Sequence, residues 1–325
     1  MSIPNWKPLF LLAAVIAVGC AIPFMVRAYT IEIFILFMIN LILVCSYRIP
    51  ATTGDWSLSH VVLMGVGAYT TALLSKWFDL TIFLTVPLSA VVAGIVGFIM
   101  VTPLIRTRGF GFFIASFALG ELIRLIWIKF RYPFGGPRGM IGIPNGELGS
   151  IDFFEPMPYY YFVMAVALIC LIIMYRIDQS RIGKTFTALY TDEGLAESVG
   201  IDVPRYRALA FGLGAFFAGI AGALLAHRLG AVDPKNFDVT TMVYLIIWIV
   251  VGGTTTFWGP IMGLILMTFI FEWSRPLLEW RPLLFGGTLI FFLVFLPGGL
   301  DDLFFKIRNK IMAKKSGAGV SDVAS

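Results

Sequence analysis

The chain has 325 residues, of which 59% are Ala, Val, Ile, Leu, Met, Phe, Trp, Tyr or Cys and only 13% are charged. Soluble domains carry about 25% charged residues, and a fold of this size has too little polar surface to cover that much apolar volume in water. Lipid is therefore the solvent, a large soluble catalytic domain is excluded, and the net charge of +5 reads as basic residues in cytoplasmic loops, not as a nucleic-acid surface.

The first apolar stretch, near 8 to 26, ends in Ala17-Val18-Gly19-Cys20, which resembles a lipoprotein cleavage site. A single preceding Lys7 and the many spans that follow identify it as an uncleaved first helix. Further spans are expected near 30 to 47, 58 to 75, 82 to 101, 110 to 128, 158 to 175, 208 to 226, 239 to 252, 259 to 274 and 283 to 297. The fold class is thus an all-α polytopic membrane protein of about ten transmembrane helices, with eight to ten as the range. With the N-terminus inside and all ten crossing, 14 of the 24 Lys and Arg fall on the cytoplasmic side and nine outside, while Arg124 lies within a span. That bias puts both termini in the cytoplasm. The organisation expected is one transmembrane domain over 1–300, with an extracytoplasmic loop at 129–157, a cytoplasmic loop at 176–207 and a flexible basic tail at 301–325.

Two spans are interrupted. Pro50 to Gly67 carries Thr52, Thr53, Gly54, Asp55, Ser57, Ser59 and His60, and Gly252 to Pro260 carries three threonines between glycines. Non-helical backbone at membrane depth survives only against protein or a water-filled cavity. Ser57, Ser59, His60, Thr254, Thr255 and Thr256 are accordingly candidates to line a translocation cavity, since hydroxyls can receive a small solute without holding it tightly; a helix-end hydrogen bond is the other use for the histidine. Spans two to five and seven to ten would form an inverted repeat of two helical halves, with the interrupted segments in the second helix pair of each half; glycines easing helix packing are the alternative. Gly214, Ala218 and Gly222 recur every four residues in the seventh span as a smooth packing ridge. Glu121 and Arg124, three apart, share a helix face. They form either an ion pair in a cavity or interface, or a pair that snorkels to the outer head groups.

The loop from Arg176 to Arg207 is too patterned for a simple connector. Ile182, Phe186, Leu189, Leu195 and Val199 can stripe a short helix pair, with Asp192, Glu193 and Glu197 opposite, and Gly200 with Pro204 ends it. Such a unit suits docking into a groove of a soluble partner, or lying on the membrane surface. Gly183-Lys184-Thr185 is not a phosphate-binding loop, because Asp178 occupies the position of the required glycine and no strand precedes it. No nucleotide, metal or other cofactor is expected on this chain. Cys20, Cys45 and Cys170 form no Cys-x-x-Cys pair, and no paired carboxylates, Ser-His base pair or His-Glu-x-x-His motif supports an intramembrane enzyme.

The run Ser180 to Ile201 (SRIGKTFTALYTDEGLAESVGI) resembles the coupling segment of ABC importer permeases of the branched-chain amino acid class, the LivM-like subunits. Gly135 to Pro144 is similar to that family's external Gly-Gly-x-x-Gly-x-x-Gly-Ile-Pro loop. Val250 to Gly263, Leu58 to Tyr69 and Phe117 to Leu125 extend the likeness over roughly 50 to 300. The chain departs from the pattern at Thr53, Asp55 and Trp56, where glycine and leucine are usual, and at Tyr190-Thr191-Asp192-Glu193, where an Asn-Glu pair and an extra basic residue are usual. The resemblance implies half of an alternating-access pathway in a bacterial-type cytoplasmic membrane, built with a second similar permease, two cytoplasmic ATPases that use ATP and Mg, and an extracytoplasmic solute-binding protein. It places ATPase coupling at Gly183, Asp192, Glu193, Ala196, Glu197 and Gly200, and binding-protein contact at Gly135 to Pro144 and Leu229 to Phe237. Branched-chain or other small amino acids are the expected solutes, followed by urea, short amides or small carboxylates. An ATP-independent channel or secondary carrier is the alternative of another class, and it would transport without companion subunits.

Overall fold

A computed structural model describes residues 19–24, 26–144, 147–148, 151–296 and 298–303. Most of the expected first span and nearly all of the basic tail lie outside the described residues, although 19–24 is helical. Apolar side chains and the absence of competing water drive the backbone into helices that satisfy their own amides. The long ones are α1 (Ala28–Ala51), α2 (His60–Phe78), α3 (Ile82–Leu104), α4 (Phe110–Lys129) and α5 (Pro156–Gln179). Two short helices follow, α6 (Arg181–Thr191) and α7 (Glu193–Ser198), then α8 (Val203–Leu229), α9 (Val239–Gly252), α10 (Gly259–Trp273) and α11 (Arg281–Phe295).

Among the described residues, seven helical stretches are long and apolar enough to cross a membrane. Helix α1, with 24 residues, is about 36 Å long against a hydrocarbon core of ~30 Å. Helices α9 and α10, with 14 and 15 residues, reach only about 21 to 23 Å. Irregular stretches at their ends make up the rest, including a 3-10 turn at Pro234–Phe237 with Phe237 buried against Trp127. Side-chain caps start the helices that begin in polar loops. Ser180 accepts from Gly183 N, Asp192 from Leu195 N, Asp202 from Arg205 N and Asp238 from Thr241 N.

Helix α8 is the centre of the bundle and packs on α3, α2 and α1. The close approach depends on missing side chains. A Cβ on Gly222 would collide with the Met64 carbonyl of α2, one on Gly67 with the backbone of Gly219, and one on Gly97 with the Ala215 methyl. Ala218 is fully buried in the same ridge, so the every-four spacing read from the sequence does mark a packing face. Helix α1 also packs on α5 and α10, and α9 pairs with α10 and α11. Helix α4 is held more lightly, with Phe112, Ser116, Gly120 and Trp127 as its buried residues.

The bundle has two ends. One gathers Arg48 with Asp178 and Thr254, Asp55 with Arg207, Ile105 and Thr107, and Asp301 with Thr255 and Thr256, all beside α6 and α7. The other gathers Tyr29 with Glu272, Glu32 with Arg228 and Phe154, Lys76 with Ile141, and His227 with Pro144. A two-residue antiparallel pairing there, Met140↔Val232 and Ile141↔Ala231, joins the glycine-rich loop after α4 to the chain after α8. Successive long helices alternate between these ends. The two interrupted segments, 52–59 and 253–258, both lie at the α6–α7 end. The first joins the opening two helices of one half, and the second joins the middle two of the other. In an inverted repeat, equivalent connections lie at opposite ends, so the two breaks are not repeat equivalents, and the expectation that they occupy matching helix pairs does not hold.

Candidate functional site

At the α6–α7 end, glycine and a cap set the first element. Ser180 caps α6 from the last turn of α5, and a Cβ on Gly183 would strike the carbonyls of Ile177 and Asp178. Gly183 thus lets α6 fold back tightly against α5. Asp192 breaks the helix pair and caps α7, its carboxylate accepting from Leu195 N at 2.9 Å. Gly200, at φ 88°, turns the chain toward α8. Phe186, Leu189 and Ala196 face the bundle and are buried, whereas Ile182, Leu195 and Val199 are exposed at 40%, 64% and 71%. The five apolar positions read as one stripe therefore split between two faces. Counted at about 100° per residue from Leu189, Ala196 falls on the buried face and Leu195 and Val199 fall away from it, so the stripe groups positions that the helical period itself separates. Glu193 pairs with Arg108 at 3.2 Å, and Glu197 is exposed.

Two buried ion pairs tie this end together. Arg207 donates to both oxygens of Asp55, one through Nε at 2.7 Å, and also to the carbonyls of Ile105 at 2.9 Å and Thr107 at 3.1 Å. The side chains are only 5% and 6% exposed. One guanidinium thus joins α8, the α3–α4 loop and the 52–59 segment. Arg48 of α1 donates to Asp178 and, from Nε at 3.2 Å, to the Thr254 carbonyl. Sequence reading missed these pairs because their members stand 152 and 130 positions apart; the one available signal was that each is a charge at the margin of an apolar span.

Ser57, Ser59 and His60 are fully buried and face one another and the protein. Ser57 and Ser59 hydroxyls share a hydrogen bond at 2.8 Å. The irregular amides are satisfied by side chains: Ser57 N donates to Tyr47 Oη, Leu58 N to Ser116 Oγ and Ser59 N to Ser57 Oγ. His60 Nε2 lies 2.8 Å from Ser46 Oγ, which gives its own proton to the Leu43 carbonyl. Nε2 is therefore the donor, and Nδ1 remains a bare acceptor, buried without a partner. Thr254, Thr255 and Thr256 sit apart from this group. Asp301 accepts from Thr255 Oγ1 at 2.8 Å, Thr256 N at 2.5 Å and Thr256 Oγ1 at 2.6 Å. The six hydroxyl and imidazole residues expected along a cavity thus form two separate clusters.

Glu121 and Arg124 do pair. Nε reaches Oε2 at 2.9 Å and Nη2 reaches Oε1 at 2.5 Å, near the middle of α4, with 20 to 25% of each side chain exposed. Asp238, the cap of α9, lies within electrostatic reach of the pair.

A family described as "Branched-chain amino acid transport system / permease component" matches residues 29–293. The chain belongs to this family. It is a membrane permease subunit of an ABC importer and not an enzyme, ATP hydrolysis residing in a separate subunit. The permease is 28% identical over 318 residues to the high-affinity branched-chain amino acid transport system permease protein LivM of Escherichia coli K12, across 90% of this chain and 75% of LivM. It is 27% identical to LivM of Salmonella typhimurium over the same shares, and 25% identical over 221 residues to the ribose import permease protein RbsC of Haemophilus influenzae, across 64% of each. No solved structure matches the permease.

Proposed function

We propose that the permease forms half of the pathway of an importer for branched-chain amino acids, in the cytoplasmic membrane, with α6 and α7 as its ATPase-coupling element. The observation that carries this reading is the division of faces on α6–α7. Phe186, Leu189 and Ala196 clamp the element to the bundle, while Leu195 and Val199 stay outward on a surface too polar to rest in lipid, flanked by Asp192, Glu193 and Glu197. A soluble ATPase groove is the partner that fits. Arg48, Arg106, Arg108, Arg176, Arg181, Lys184, Arg205 and Arg207 share this end, which supports a cytoplasmic placement. The alternation of the described helices, with Gly19 and Cys20 held by Tyr160 and Tyr161 at the opposite end, supports ten crossings and cytoplasmic termini. The paired 140–141 and 231–232 segments then lie outside, where a solute-binding protein would dock. The pathway runs along the lightly packed α4, past Glu121 and Arg124, and closes against a second permease, with the 57–59 segment as backing.

The test is the complete importer carrying Leu195→Glu with Val199→Glu. Insertion is expected to be retained, with solute-stimulated ATP hydrolysis and leucine uptake down at least tenfold. Undiminished stimulated hydrolysis overturns the coupling assignment. An importer that takes up urea or a short amide in place of leucine overturns the substrate.

A further inference from the structure

Between the coupling helices and the bundle lies a cleft of about 260 Å³. Its walls are Thr53 to Asp55, Arg108 and Gly109 from the α3–α4 loop, Leu189, Tyr190 and Glu193, with Arg207 at the back. Two guanidiniums and two carboxylates meet there, in very different states. The Asp55–Arg207 pair at the back is saturated, with Thr53 Oγ1 3.2 Å from Asp55 and two carbonyls on Arg207. A charge pair so completely hydrogen-bonded is closed to an incoming ligand. The Arg108–Glu193 pair at the mouth is open: Arg108 Nη2 lies 3.2 Å from Glu193 Oε1 without the geometry of a hydrogen bond, and the Arg108 side chain is 69% exposed. Oε1 thus has the guanidinium charge beside it but accepts no hydrogen bond. The two side chains project from opposite walls.

We propose that this cleft binds a zwitterionic amino acid from the cytoplasmic side and slows the transport cycle when filled. The α-ammonium group supplies hydrogen-bond donors to Glu193, and the α-carboxylate accepts from the guanidinium fork of Arg108. The aliphatic side chain lies on Leu189 and the Tyr190 ring. Space is available beside Gly109, where an added Cβ would touch nothing within 4 Å. The two walls belong to the coupling element and to a loop of the bundle, so a ligand bridging them resists any motion of one against the other. The inference rests on the importer reading above, and it makes the accumulated solute its own brake.

The experiment uses the complete importer in liposomes with its ATPase side accessible, leucine-loaded binding protein enclosed in the lumen, and L-leucine added to the ATPase side. Solute-stimulated hydrolysis is expected to slow at least threefold in the wild type and to be unaffected in Arg108→Gln, each measured against its own rate without added leucine. Arg108→Lys, which keeps the charge and loses the fork, retains part of the inhibition. Leucinamide and isocaproate, each lacking one of the two charges, are expected not to inhibit. Equal inhibition of Arg108→Gln, equal potency of either analogue, or full wild-type activity in the presence of leucine overturns the site and leaves the importer reading standing. Failure of the loaded binding protein to stimulate hydrolysis at all removes the importer reading, and the brake with it.

Discussion

The segments 52–59 and 253–258 look alike as sequence: threonines and a glycine interrupt an apolar run, and both lie at the same end of the bundle. Their surroundings differ. The first is packed inside the bundle, its amides answered by Tyr47, Ser57 and Ser116 and its Asp55 locked to Arg207. The second is a hairpin between two short helices, with Thr255 exposed and its contacts supplied by Arg48 of α1 and by Asp301 near the described C-terminal limit. A polar break in an apolar run therefore has two uses. One satisfies irregular backbone and fixes four helices into a body; the other is a joint at which separate helices are strapped together.

The largest effect belongs to the fixed body. Asp55→Leu leaves the Arg207 guanidinium buried with carbonyls alone, and breaking a buried pair costs about 3–5 kcal/mol. Thermal unfolding in detergent, followed by the protein that remains monodisperse, is expected to show a severe loss. Asp55→Leu with Arg207→Leu is expected to recover most of it, since an apolar replacement of the whole pair is often neutral. A single variant as stable as the wild type would place 52–59 among the joints. Second comes Asp301→Ala. Asp301 accepts three hydrogen bonds, all from Thr255 and Thr256, and its loss is expected to cost about 2 kcal/mol. Hydrogen exchange is expected to rise at 253–258 and stay unchanged at 52–59; acceleration in both would show that the segments open together.

The sequence alone reveals this division only in part. The helices are legible because hydropathy needs no knowledge of partners, and the ridge of Gly214, Ala218 and Gly222 is legible from its spacing. What the ridge meets, the Met64 carbonyl of α2 at Gly222 and the Pro50 ring and Ser46 carbonyl of α1 at Gly214, is not, because local period says nothing about which helix lies opposite. Asp55 is visible as an oddity in an apolar span, but its pairing with Arg207 is a product of the fold. Similarly, Thr254 to Thr256 announce a break, while the Asp301 that receives them stands 45 residues away from Thr256. The coupling segment is legible as an element. The grouping of Leu195 and Val199 with Phe186 and Leu189 fails because it follows apolarity where the helical period points to Ala196.

The smallest effect tests the comparison most directly, since the same chemical change can be made in both segments. Ser57→Ala removes the acceptor for Ser59 N at 3.1 Å and leaves a buried amide unpaired, at a cost of about 1–3 kcal/mol with the low end expected for a hydroxyl acceptor. Thr255→Ala also removes one hydroxyl, but the Thr255 side chain is exposed and Asp301 keeps both of its bonds to Thr256, one of them on the same carboxylate oxygen, so the expected cost is about 0.5 kcal/mol. The loss leaves a carboxylate still hydrogen-bonded in one place and an amide with no partner in the other. Thermal midpoints measured side by side in one detergent are expected to fall further for Ser57→Ala; equal shifts would mean that the 57–59 amides are no more dependent on their partners than the hairpin is and that the distinction between body and joint does not exist.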